Sequence, residues 1–130
     1  MVKESLKILA IDDNKDIRDL LSLVLEKEGY EVVTAANGVM GLRLIKENTP
    51  HLVLLDMMMP EFSGLDVLGA IRNHKDRKIR EVPVIIITAK SAIEDIDQAL
   101  GLGADSYIVK PFRPSKLVEK VREFLSANAQ

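Results

Sequence analysis

The run LVLLD at residues 52–56, continued by MMMP at 57–60, decides how the rest of the chain is read. Four consecutive apolar residues without polar alternation describe a strand covered on both faces. The run then ends in a single carboxylate, Asp56, and an ionised carboxylate is costly to bury without a partner. Such a strand needs helices above and below it, and its terminal acid needs a counter-charge.

Four more runs of strand length flank it: KILAI (7–11), EVVTA (31–35), PVIII (83–87) and SYIVK (106–110). The segments between them have helical periodicity. Ile17, Leu20, Leu21, Val24 and Leu25 form one stripe, and Gly29 stands where a helix C-cap is wanted. A second helix is expected from about Val39 to Lys46, closed by Asn48 to Pro50. A third starts near Gly64 and carries Leu65, Leu68 and Ile71. The fourth carries Ile93, Ile96, Ala99 and Leu100, and the fifth Leu117, Val118, Val121, Phe124 and Leu125. GLG at 101–103 reads as helix termination, since no strand precedes it. RNHKDRKIRE (72–81) reads as a solvated helix end plus loop. Five strands alternating with five helices predict an α/β fold, a doubly wound parallel sheet with right-handed crossovers.

In open sheets of this kind, ligands bind beyond the carboxyl ends of the strands. Asp12 and Asp13 follow strand 1, Asp56 ends strand 3, Thr88 follows strand 4, and Lys110 marks the end of strand 5. Strand 2 is followed by uncharged Ala36 and Asn37. In the order 2-1-3-4-5, strand 2 is an edge and the five polar residues converge. Singly, each has an ordinary explanation: a helix cap for the acidic pair, a turn for Thr88, an exposed lysine before proline. Together they place three mutually repelling carboxylates beside one lysine. A hard divalent ion on oxygen ligands supplies the missing charge, with Mg²⁺ the fitting ion. An Asp, Mg²⁺, a hydroxyl and a Lys make a phosphoryl-transfer site, with Asp as covalent acceptor.

The whole chain bounds the alternatives. It has 130 residues, 47% of them hydrophobic, enough for the core of one domain, expected to span 1–130 with its core at about 7–125. The aromatics are Phe62, Phe112, Phe124, Tyr30 and Tyr107, so the core is aliphatic. A formal net charge of -2 gives no electrostatic case for nucleic acid or an anionic membrane. Without cysteine, thiolate chemistry and disulfides are excluded. No apolar run approaches the roughly 20 residues of a membrane span, and MVKESLK lacks a signal-peptide core, so a cytoplasmic protein is expected.

The set of motifs resembles the receiver domain of two-component response regulators, in the manner of a single-domain chemotaxis regulator. The residues concerned are IDDN (11–14), LLDMMMPEFSGLD (54–66), PVIIITAK (83–90) and GADSYIVKPF (103–112). The resemblance implies a flavodoxin-like (βα)5 fold and a set of roles. Asp56 is the phosphoacceptor. Asp13 and Asp56 ligate Mg²⁺ directly, Asp12 mostly through water, and the Met58 backbone carbonyl completes the protein ligands. Lys110 contacts Asp56 and then a phosphoryl oxygen, while the Thr88 hydroxyl and the Ala89 backbone N–H take the others. Lys110-Pro111 is expected to be cis. Tyr107 turns inward when Thr88 moves, switching the face of helix 4, strand 5 and helix 5. Two departures bear on phosphate lifetime: Met58 and Lys90 stand where polar or acidic residues help to position water. The three methionines read as gap-filling apolar side chains rather than soft metal ligands.

The expected function is a phosphorylation-switched signalling receiver, not a turnover enzyme, that catalyses only its own phosphorylation and slow dephosphorylation. A haloacid-dehalogenase-like phosphatase would need a second Asp two residues after the nucleophile, where Met58 stands. A pseudo-receiver binding module is disfavoured by intact Asp13, Asp56, Thr88 and Lys110. His51 and His74 lie outside any phosphotransfer pattern, so the phosphodonor is expected to be a histidine kinase or phosphotransfer protein. The downstream effector is not legible. A stand-alone regulator, a piece of a longer protein, a monomer and a phosphorylation-dependent dimer all fit.

Overall fold

The computed structural model describes residues 5–89 and 94–128. Its elements are β1 (Lys7–Ile11), α1 (Lys15–Lys27), β2 (Glu31–Ala35), α2 (Gly38–Asn48), β3 (Leu52–Asp56), α3 (Gly64–Arg72), α4 (Arg77–Arg80), β4 (Val84–Ala89), α5 (Ile96–Gly101), β5 (Ser106–Lys110) and α6 (Pro114–Asn128). The strands form one sheet in the order β2-β1-β3-β4-β5, every pairing parallel. This is the doubly wound flavodoxin-like architecture that the alternation of elements predicts.

The pleat explains the unbroken apolar runs. Successive residues of a strand point to opposite faces. Leu9, Ile11, Val53, Leu55, Val84 and Ile86 pack on one side with Ile45 of α2 and Val67, Leu68 and Ile71 of α3. Ile8, Ala10, Leu52, Leu54, Ile85 and Ile87 pack on the other with Leu21 and Leu25 of α1 and Leu117, Val121 and Leu125 of α6. Both faces of the central strands are therefore covered. Edge strand β2 is less so: Val32 and Val33 are only partly buried.

Three expectations are corrected. β4 begins at Val84 and runs through Ala89, so Thr88 is a strand residue paired with Val109 rather than a turn residue. Pro83 lacks the N–H that a ladder uses; its carbonyl still accepts from Val53. The fourth expected helix is α5, beginning at Ile96; Ile93 and Lys90 lie outside the described residues. The charged stretch 72–81 is not simply solvated. It contains the helical turn α4, capped by the Asp76 side chain on the Lys78 N–H, and Ile79 within it is buried.

Arg72 explains that turn. Its guanidinium donates to the carbonyls of Gly103 (2.9 Å), Arg80 (2.9 Å) and Val82 (2.7 Å), and to the Asp105 carboxylate at 3.0 Å. The same Asp105 oxygen accepts the Val84 N–H at 2.8 Å. One side chain thus ties the end of α3 to the starts of β4 and β5. Gly103 has φ +109, and a Cβ there would press on the Arg72 side chain, so glycine is required twice over.

Candidate functional site

Asp56 is the last residue of β3 and is 3% exposed. Beyond it the Met57 N–H continues onto the Ile87 carbonyl at 3.1 Å, and the Gly64 N–H donates back to the Met57 carbonyl at 3.1 Å. The loop 57–63 is thereby folded over the strand end. Gly64 permits that approach: a Cβ there would collide with the Asp56 carbonyl and the Met57 Cα. Ser63 and Asp66 then start α3 with a capping box.

The acidic pair sits where β1 passes into α1. Asp12 is fully buried; its N–H donates to the Ala35 carbonyl at 3.1 Å, and its Oδ1 accepts the Asn14 N–H at 2.9 Å. Asn14, not an aspartate, caps α1, its side chain accepting from the Ile17 N–H. Asp13 is exposed at the mouth of the site. Carboxylate oxygens of Asp12, Asp13 and Asp56 lie within 4.8 Å of one another.

Lys110 reaches into this cluster from the end of β5. Its Nζ is 3.1 Å from Asp12 Oδ2 and 3.7 Å from Asp56 Oδ1. The expected contact with Asp56 is present, but Asp12 is the nearer partner. The Asp12 contact is an ion pair without hydrogen-bond geometry, so the buried Oδ2 keeps no hydrogen-bond donor. The peptide bond between Lys110 and Pro111 is cis. Thr88 is fully buried, its hydroxyl donating to the Ala89 carbonyl at 3.3 Å, and Ala89 pairs with Lys110 across the β4–β5 ladder. Tyr107, paired with Ile86 in the same ladder, is 41% exposed and turned to solvent.

Burial pushes the Asp56 carboxyl up to about 7, and the Asp12 charge adds to it. Lys110 and the Met58 N–H, which donates to Asp56 Oδ1 at 3.2 Å, pull the other way. Asp13 pushes it up further. A single lysine does not neutralise three carboxylates. Three carboxylates thus converge on one lysine among the described residues, burial and the Asp12 charge raise Asp56, and an all-oxygen donor set of this kind fits a small hard divalent cation.

The methionines divide. Met57 and Met59 are buried and fill the core as expected, at 3% and 7% exposure. Met58 does not: it is 60% exposed. Between these two buried neighbours its side chain faces solvent beside the site.

One residue of the site has no counterpart in the reading of motifs. Arg18 of α1 folds back, and its Nη1 donates to the Asp12 carbonyl at 2.8 Å. The available signal is its place one turn past the N-cap, from which a long side chain reaches the preceding loop.

The response regulator receiver domain family matches residues 8–122. Among solved structures, the chemotaxis protein CheY4 of Vibrio cholerae superposes with a TM-score of 0.86 at 29% identity, covering 93% of this chain and 99% of that one. A response regulator receiver domain protein from Clostridium thermocellum gives 0.85 at 32%, covering 95% and 96%. The probable transcriptional regulator ycf27 of Porphyridium aerugineum is 44% identical over 92% of this chain and 48% of its own length. The DNA-binding response regulator MtrA of Mycobacterium tuberculosis is 38% identical over 94% and 51%. The chain spans about half the length of these two curated relatives. No helix among the described residues is long and apolar enough to cross a membrane. With its sheet order, its acidic cluster and a family match over nearly its whole length, the chain belongs to the response regulator receiver domains of two-component systems.

Proposed function

We propose that Asp56 is the phosphoacceptor, taking a phosphoryl group from a histidine kinase or histidine phosphotransfer protein. The observation that carries this reading is the setting of Asp56: a buried carboxylate at a strand end, within reach of two further acids and the Lys110 ammonium. A carboxylate oxygen of Asp56 attacks phosphorus in line. The bond from phosphorus to the donor imidazole nitrogen breaks, and the imidazole leaves with the electron pair and takes up a proton. The product is an acyl phosphate on Asp56.

Asp12, Asp13 and Asp56, with the Met58 backbone carbonyl, would hold Mg²⁺. When bound, the ion supplies the positive charge that lets the acids ionise together and that offsets charge on the transferring group. The protein's own groups do the rest. Lys110 moves its ammonium from the carboxylates toward a phosphoryl oxygen. The Thr88 hydroxyl exchanges the Ala89 carbonyl for a second oxygen, and the Ala89 N–H takes the third. Thr88 moving toward the phosphoryl group vacates space for Tyr107 to turn inward, changing the α5–β5–α6 face. The chain modifies itself and then reports; it has no separate substrate to turn over.

The test is intact-mass spectrometry after incubation with a small-molecule phosphodonor and Mg²⁺. The expected result is one phosphoryl group on the wild type and none on Asp56→Asn. An unmodified wild type, with Mg²⁺ still binding, would mark a protein-binding module instead. Steady release of phosphate from added esters would mark a phosphatase.

A further inference from the structure

We infer that Arg18 is a positioning residue of the acidic site, setting the direction of the Asp12–Asp13 peptide through its hold on the Asp12 carbonyl. The inference rests on the reading above that these acids bind Mg²⁺.

The β1 ladder ends at Ile11, which pairs with Ala35 on one side and Leu55 on the other. Asp12 lies beyond it. Its N–H is held by the Ala35 carbonyl and its side chain by the Asn14 N–H. The remaining handle is its carbonyl, which belongs to the peptide that carries Asp13. Rotation of that peptide swings the exposed Asp13 carboxylate relative to buried Asp12 and Asp56. The Arg18 guanidinium donates to this carbonyl at 2.8 Å. The base of the arm is fixed as well: the Arg18 N–H donates to the Asn14 carbonyl at 3.1 Å, in the first turn of α1. Backbone and side chain of one residue thus bracket the turn from Asp12 to Asn14.

The ordinary alternative is a half-buried helix arginine with a solvated head. Two features count against it. The contact is part-buried, and Nη1 donates to a backbone carbonyl. That carbonyl belongs to a residue whose own carboxylate is buried in the acidic cluster and paired with Lys110. A guanidinium presenting donors in a fixed fork is suited to such a contact. Groups that orient metal ligands typically change affinity by about 10–100-fold when removed.

The experiment is titration calorimetry with MgCl₂ on wild type, Arg18→Ala, Arg18→Lys and Asp13→Ala, with amide NMR of the metal-free proteins. Arg18→Ala is expected to weaken Mg²⁺ about 10-fold and to move the Asp12, Asp13 and Asn14 amide signals before any metal is added. Arg18→Lys, which keeps one donor, should recover part of the affinity. Loss of a cation would by charge alone tighten Mg²⁺, so a loss in Arg18→Ala that persists at about 0.5 M potassium chloride reports positioning. Unchanged Mg²⁺ affinity in Arg18→Ala, with only a lower melting temperature, would overturn the positioning role. So would tighter Mg²⁺ binding in Arg18→Ala, the sign that removal of a nearby cation gives by charge alone. Absence of Mg²⁺ binding by the wild type, or full binding by Asp13→Ala, would overturn the reading of the site itself and this inference with it.

Discussion

Lys110 Nζ stands 3.1 Å from Asp12 Oδ2 and 3.7 Å from Asp56 Oδ1, so the lysine leans toward the acid that is not the proposed acceptor. Two acids compete for one cation. Asp12, fully buried, holds it; Asp56 rises to about 7 by burial and by the Asp12 charge. On the proposed reading, the Lys110 ammonium would turn to an incoming phosphoryl oxygen when the acids hold a metal. On that reading the lysine would be a placeholder in one state and a charge stabiliser in the other.

Binding and chemistry should therefore separate in Lys110→Met. Removing the competing ammonium should leave Mg²⁺ affinity equal or tighter by calorimetry. Phosphorylation of Asp56 by a small phosphodonor should slow by about 10²–10³-fold, the usual size of losing one such donor. A parallel loss of Mg²⁺ binding would instead make Lys110 a residue that builds the site.

The raised Asp56 gives a pH dependence of known sign. The unfolded chain loses this proton near the ordinary value of 3.8, the folded metal-free protein near about 7. Between those values the folded state binds more protons, so stability falls as pH rises through the window. Denaturant unfolding at pH 5 and pH 8 should show wild type losing more stability than Asp56→Asn. Saturating Mg²⁺ stabilises the ionised form and should flatten the difference. A wild type and Asp56→Asn with the same pH slope would contradict the assignment of the shift to Asp56.

Strands β1 and β3 were legible residue for residue because burial on both faces writes itself as an apolar run, and edge strands β2 and β5 because β-branched and aromatic residues cluster in short runs between helical segments. β4 was displaced because Thr88, polar but fully buried, looks like the end of a run. The convergence of Asp12, Asp13, Asp56, Thr88 and Lys110 was legible because topology brings strand ends together. What escaped the reading has a common cause. Arg18 and Arg72 act on backbone carbonyls, and a carbonyl has no sequence signature. The preference of Lys110 for Asp12 over Asp56 is a matter of tenths of an ångström, which spacing does not encode. Met58 was misread because three methionines in a row give no clue to which one the turn directs outward.

Arg72 should matter for stability and not for the site. Arg72→Ala strands the carbonyls of Gly103, Arg80 and Val82 and leaves Asp105 with only its backbone donor. Unpairing part-buried polar groups on this scale costs about 2–4 kcal/mol. Chemical denaturation should report that loss. Calorimetry should report unchanged Mg²⁺ affinity, since these contacts join α3 to the starts of β4 and β5, away from the carboxyl ends of the strands. A weakened Mg²⁺ site would show that the tie is felt across the sheet.

The lifetime of the acyl phosphate should depend on Met58. The phosphate is lost when water attacks phosphorus opposite the Asp56 oxygen, and an orienting side chain speeds that attack. Met58 follows Asp56 by two residues, donates its N–H to Asp56 Oδ1 at 3.2 Å, and projects its side chain to solvent at 60% exposure. A thioether at the mouth of the site accepts hydrogen bonds only weakly, so it does not hold a water in line. Lys90, the second position implied by the family resemblance, is a donor only and cannot accept a proton from the attacking water. Slow self-dephosphorylation is the expected outcome. The check is to load Asp56 with a small phosphodonor, remove the donor, and follow decay in Mg²⁺ for wild type, Met58→Asn and Met58→Asn/Lys90→Glu. The single variant should decay faster than wild type and the double variant faster still, by about 10-fold or more if the introduced carboxylate acts as a base toward the water. Equal rates in all three would show that water reaches the phosphorus by a route these side chains do not govern.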